Sequence, residues 1–307
     1  MKGLFTGLLL APLLAWAAGE PPILQPDVQA GKLPPVEKRL PLVPLVVKTD
    51  GRHGGTLNTL VGRSRDTRLL VVYGYARLVA YDQSFSFVPD ILESFEVQEG
   101  RIFTFKLRKG HRWSDGHPFT AEDFRYWFED VEGNPQLSPT GLPTALLPNG
   151  ERPQFEVLDA RTVRYSWSNP NPMFLSALAG PDPLYIYAPA HYLKQFHKKY
   201  AEKLTLDALV KQEGVRNWAT LHTKYSAMYR NGNPDLPSLE PWILKTRLPA
   251  DRIIFERNPY YYRVDGAGHQ LPYIDRVVFT IASSRIIPAK TGAGRSEERR
   301  VGKECRL

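Results

Sequence analysis

The sequence predicts a mixed α/β fold, and three observations carry that prediction. Apolar residues alternate with polar ones around glycine turns, the period of half-buried strands. Elsewhere they recur at helical spacing behind a capping residue. The two kinds of segment interleave along the chain, which argues for strands and helices sharing layers.

The elements follow in order. Residues 1–17 read as a secretory leader: Lys2 opens it, an apolar run fills Leu4–Leu14, and Ala15-Trp16-Ala17 supplies an A-x-A cleavage site. No cysteine lies near that site, so a periplasmic protein is expected rather than a lipid-anchored one. Residues 18–47 form a proline-rich extension, expected to run extended along a surface. One or two strands are expected between Gly55 and Val72, and Val71-Val72-Tyr73-Gly74-Tyr75 is read as a glycine-containing loop at a strand end. Phe95 and Val97, then Phe103, Phe105 and Leu107, alternate around Glu99-Gly100, a hairpin. Asp115-Gly116 turns the chain. Thr120 and Asp123 have capping-box spacing, and Phe119 and Phe124 flank the cap as a hydrophobic staple. Phe124, Trp127, Phe128 and Val131 then define one apolar helical face. A loop covers 133–153, with a turn at Asn149-Gly150. A second hairpin spans Phe155–Trp167 around Asp159-Ala160-Arg161, and Asn169-Pro170-Asn171-Pro172 ends it. Helical text covers Pro189–Phe196 and Leu206–Glu213, and the loop Asn231–Pro241 holds three prolines. Two closing strands are expected at 252–257 and 274–281.

The tail at 295–307 lacks apolar periodicity and resembles a translated cloning adapter, so it is read as artefactual. Its five cations and three carboxylates contribute +2. Without the tail and Lys2, the formal +8 falls to +5, too modest to argue for nucleic-acid binding. The single cysteine, Cys305, sits in that tail, so no disulfide framework or cysteine metal site is available elsewhere.

Catalytic patterns are missing: there is no G-x-S-x-G, no phosphate-binding lysine loop and no H-E-x-x-H. The seven histidines are scattered and read as surface residues. His191 and His197 are six apart and point to different helical faces. Glu122-Asp123 falls in a first helical turn, where acids offset the dipole. Asp265-Gly266-Ala267-Gly268 lacks alternating acidic ligands and reads as a plain loop. No cofactor and no enzymatic activity are expected. Six Trp and fifteen Tyr remain as candidates for ligand contact. Tyr73, Tyr75, Trp218 and Trp242 are singled out because they sit in or beside loops.

One resemblance adds to this reading. Glu93-Ser94-Phe95-Glu96, Phe105-Lys106-Leu107-Arg108-Lys109-Gly110, Trp113-Ser114-Asp115-Gly116 and Pro118-Phe119-Thr120-Ala121-Glu122-Asp123-Phe124 resemble the signature region of family 5 solute-binding proteins, the peptide-binding subunits of ABC importers. Gly54-Gly55-Thr56-Leu57, the segment Arg252–Tyr261 and the segment Leu271–Phe279 resemble further stretches of that family. The likeness covers about residues 48–290. One departure stands out: many members read Gly-Pro-Tyr where this chain has Glu240-Pro241-Trp242. The resemblance implies a periplasmic-binding-protein-like fold of type II, of the peptide-binding cluster with its extra subdomain. Lobe one would comprise 48–72 and 169–290, with a small α/β subdomain inserted at 73–168. The family is about twice as long, so the chain is read as an N-terminal fragment covering mostly lobe one. It implies a monomer that takes a peptide ligand, or alternatively a glycan or other small solute, and hands it to a membrane permease. A non-transport interaction module is the other alternative. The strongest ligand-gripping residues would lie in lobe two, so weak or no peptide binding is expected of this stretch alone.

Overall fold

The computed structural model describes residues 19–293. The expected leader, the tail and Cys305 lie outside the described residues.

The proline-rich start is folded, not extended. It forms two short helices, α1 (Gln25–Gln29) and α2 (Val36–Arg39). Pro26 stands in the first turn of α1, where a missing N–H breaks no bond. Val36 and Leu40 pack with Val264, and the fully buried Arg39 donates to Glu20 Oε1 at 2.6 Å. Strand β1 (Leu45–Val46) pairs in parallel with β11 (Arg263–Val264), which ties this segment to the far end of the chain.

One four-stranded sheet has the order β2-β12-β10-β9. Its strands are β2 (Thr56–Val61), β9 (Trp242–Leu244), β10 (Arg252–Arg257) and β12 (Arg276–Ile281). Both closing strands therefore occur where the alternation places them. β2 and β12 pair in parallel; the other pairs are antiparallel. Val61, Leu70, Leu244, Ile253, Phe255, Val277 and Phe279 form its apolar layer. The second strand allowed for before Val72 is a helix instead, α3 (Leu69–Gly74). A preceding 3₁₀ turn starts it, with Asp66 accepting the Arg63 N–H at 2.9 Å. Such capping outweighs the β-branched valines.

A short hairpin follows, β3 (Val79–Tyr81) with β4 (Phe87–Pro89). The second four-stranded sheet is antiparallel throughout, in the order β5-β6-β8-β7: β5 (Leu92–Gln98), β6 (Ile102–Leu107), β7 (Gln154–Asp159) and β8 (Thr162–Ser166). Both hairpins read from the sequence are present. Glu99 and Gly100 turn the first with φ of 53° and 66°, a conformation glycine adopts without strain. Phe103, Phe105, Leu107, Val163 and Tyr165 face one buried layer.

Helix α4 (Ala121–Arg125) packs on that layer. The capping box closes as expected, with Asp123 Oδ2 accepting the Thr120 N–H at 2.9 Å, and the Phe119 and Phe124 rings meet at 5.6 Å. Beyond Arg125 the helix widens into a π turn, Tyr126–Val131, in which the Glu132 N–H reaches back five residues to Trp127. The expected stripe consequently breaks: Tyr126 is buried beside Phe124, Trp127 and Phe128, while Val131 is half-buried.

The remaining helices are α5 (Phe174–Leu178), α6 (Ala190–Leu193, extended by a 3₁₀ turn to Phe196), α7 (Lys203–Gln212), α8 (Trp218–Tyr225) and α9 (Ile287–Gly292). α6 and α7 answer the two stretches of helical text; α5 and α8 are additions. Three histidines are not on the surface: His111, His197 and His222 are buried. Among the described residues no helix is long and apolar enough to cross a membrane.

Candidate functional site

Tyr73 and Tyr75 sit at the end of α3 rather than in a loop after a strand. Tyr75 caps the helix in the left-handed region at φ 43°. It is committed to the protein at three points. Its hydroxyl donates to Ala179 O at 2.7 Å, its carbonyl accepts from Arg263 Nη2 at 2.7 Å, and the Arg77 guanidinium lies 5.0 Å from its ring centre. Tyr73, in contrast, is 67% exposed and leaves its ring face free for contact.

Gly74, between them, permits a close approach. A Cβ there would stand 2.6 Å from Glu240 Oε2 and 2.8 Å from Pro241 Cδ. The turn is thus seated on the Glu240-Pro241 segment, and Trp242 follows directly on β9. Trp242 is half-buried, and its Nε1 donates to Ile274 O at 3.0 Å. Three of the four aromatic candidates accordingly share one neighbourhood. Trp218 stands apart at the start of α8, against His197 and with the Lys198 ammonium 5.2 Å from its ring centre.

Behind the turn lies a buried ionic network that sequence reasoning missed. Arg77, 1% exposed, donates to the carbonyls of Val71, Ala76, Gly180 and Pro181 at 2.9–3.2 Å, and its Nη1 stands 3.5 Å from Glu240 Oε1. Asp90 accepts the Arg77 backbone N–H, the Tyr262 hydroxyl and the Arg263 guanidinium. Burial pushes Glu240 up to about 8, against the pull of Arg77. The available signal was thin: Arg77 stands alone in an apolar run, and Glu240 marks the one departure from the family pattern.

Among the described residues no group of three His, Cys, Asp or Glu side chains is placed to hold a metal. A void of about 20 Å³ adjoins Glu240, Trp113 and Tyr187, room for a single water. Larger concavities lie elsewhere. One of about 920 Å³ runs along α8 past Arg216, Asn217, Lys224, Tyr225 and Arg230. Another of about 680 Å³ flanks Trp218, Lys198 and Lys203.

Comparison with known proteins places this architecture. The model of the bacterial extracellular solute-binding proteins, family 5 Middle, matches residues 86–293. A periplasmic alpha-galactoside-binding protein of Rhizobium meliloti is 31% identical over 301 residues, 87% of this chain and 40% of its own. A solved oligopeptide-binding protein OppA superposes with a TM-score of 0.81 at 35% identity, over 91% of this chain and 44% of its own. The periplasmic binding protein MelB of Agrobacterium fabrum C58, solved with stachyose, superposes with a TM-score of 0.69 at 26% identity, over 89% of this chain and 42% of its own. The chain covers less than half the length of each.

Proposed function

The chain belongs to the bacterial extracellular solute-binding proteins of family 5, and on that footing we propose that the whole protein is a periplasmic subunit of an ABC importer that captures oligopeptides. The observation that carries the peptide reading is the match to an oligopeptide-binding protein at 35% identity over 91% of this chain. Capture, not catalysis, is the role. An extended peptide would take main-chain hydrogen bonds for affinity, and roomy pockets would tolerate its side chains. Closure of two lobes would then bury it and present the closed form to the permease. Residues 48–72 and 169–290 would supply lobe one, with 73–168 as its inserted subdomain. The two four-stranded sheets fall on either side of that division. Residues 1–17 would direct export and be removed. The mature protein would act as a monomer.

A second reading has its own support. The Rhizobium meliloti relative is named for alpha-galactosides, and the MelB structure holds stachyose. An exposed tyrosine ring such as Tyr73 is also a natural platform for a sugar face. Calorimetric titration of the protein read from the whole gene, with trialanine and with stachyose, separates the two. Heat with trialanine alone supports peptide capture, and heat with stachyose alone moves the assignment to galactosides. Heat with neither sinks both. Tyr73→Ala should weaken binding of whichever solute gives heat by about tenfold, the value of one aromatic contact, with the melting temperature unchanged.

A further inference from the structure

Glu240 is buried where the Tyr73–Tyr75 turn meets the rest of the fold. Its Oε2 faces Gly74, its Oε1 lies 3.5 Å from Arg77, and the Ala76 N–H also bonds the carboxyl group. Arg77 is the tie that matters: through Val71 and Ala76 it holds the end of α3, and through Gly180 and Pro181 it holds the neighbouring loop. Tyr75 reaches the same loop through Ala179. The ionisable groups that face Glu240 are Arg77, Arg263, Asp90 and the hydroxyls of Tyr185, Tyr187 and Tyr261.

We propose that Arg77 and Glu240 form a positioning clamp, which holds the Tyr73–Tyr75 turn in place and releases it when Glu240 loses its proton. The inference deepens the functional reading above and rests on it for the claim that this turn meets the ligand. With Glu240 neutral, the guanidinium is shared among four carbonyls. Ionisation sends the proton to solvent and leaves a full charge buried against Gly74, met by the Ala76 N–H and by an Arg77 contact of 3.5 Å. It also draws Arg77 toward the carboxylate and away from Gly180 and Pro181. Burial holds the transition up at about pH 8. The turn should therefore be set at neutral pH and loosened in alkaline solution.

Amide hydrogen exchange over 71–77 and 179–182, in the protein read from the whole gene, tests this without any ligand. After correction for the intrinsic pH dependence of exchange, opening should rise about tenfold between pH 7 and pH 9, the change in the neutral fraction of such a group. Glu240→Gln, which keeps the shape and cannot ionise, should remove that rise, and Arg77→Lys should leave both segments open at pH 7. In the unmutated protein the Glu240 carboxyl carbon signal should titrate with the same midpoint as the exchange, a readout that needs no variant to fold. Exchange that ignores pH, a rise that persists in Glu240→Gln, or mismatched midpoints would each overturn the clamp. Affinity for trialanine or stachyose should fall about tenfold over the same range. Should exchange follow Glu240 while neither solute binds, the clamp stands and the ligand assignment fails.

Discussion

Tyr73 and Tyr75 are two positions apart and of one type, yet their surroundings give them different work. Tyr75 spends its hydroxyl, carbonyl and ring on neighbours; Tyr73 offers its ring to solvent. Residue type and loop context singled out both tyrosines and Trp242, and the structure brings them together at the end of α3 and the start of β9. Arg77, Asp90 and Glu240 were not recognisable, since their importance comes from partners as much as 173 positions away. A lone arginine in an apolar run reads as a surface residue until its carbonyl acceptors are known. Gly74 shows the same dependence on context. Its lack of a side chain admits Glu240 and Pro241. Gly74→Ala should cost about 1–3 kcal/mol, the usual penalty for overpacking a filled site. A denaturant midpoint that does not move would show that the Glu240 side chain yields freely.

Elements stabilised by near neighbours were the legible ones. The two hairpins, the capping box and the staple all depend on residues within a few positions of one another, so spacing alone exposes them. The proline-rich start was misread because proline in a first helical turn is as favourable as proline in an extended segment, and tertiary contacts of Val36 and Arg39 decide between them. The π turn after Arg125 was invisible for a similar reason. It turns Tyr126 into the core, where the Tyr126 hydroxyl meets His222 Nε2 at 2.7 Å. Asp123 illustrates how a local cap acquires a distant role. Besides the Thr120 N–H it accepts the Ala190 N–H at 3.0 Å and the Trp113 indole N–H at 3.2 Å, joining α4 to α6 and to the turn before it. Asp123→Ala strands three donors, two of them buried with it. The loss should be about 3 kcal/mol or more, beyond the ~1 kcal/mol of an ordinary cap. Urea unfolding of the variant beside Thr120→Ala measures the difference; equal losses would reduce Asp123 to a simple cap.

At the scale of the whole molecule, the α/β class followed from patterning, whereas the parallel pairing of β2 with β12 joins segments some 220 residues apart and left no local trace. Buried titratable groups spread over the same distances, and their signs combine into one stability profile. Burial lowers His111 and His222 to about 3, and it lowers His53 and His197 as well. These imidazoles take up protons in the unfolded chain below its ordinary histidine value, before the folded chain does, so stability falls as pH drops below about 6. Asp123 and Glu240 act in the opposite sense. Burial raises them to about 6 and about 8, so the folded chain keeps protons that the unfolded chain has released, and stability falls as pH rises through those ranges. Each such group contributes a slope of about 1.4 kcal/mol per pH unit within its own window. Between about pH 4.5 and 6 the two carboxyls offset His111 and His222. Of these groups, Glu240 alone continues to act above pH 6.5, up to about pH 8. Melting temperature should consequently peak near pH 6 and decline on both sides. Replacing Glu240 with Gln should flatten the alkaline side and, by removing one of the two offsetting carboxyls, steepen the rise between about pH 4.5 and 6, whereas replacing His222 with Phe should soften the acid side. A profile still rising from pH 6 to pH 8 would mean that Glu240 is ionised throughout, with the pull of Arg77 outweighing burial.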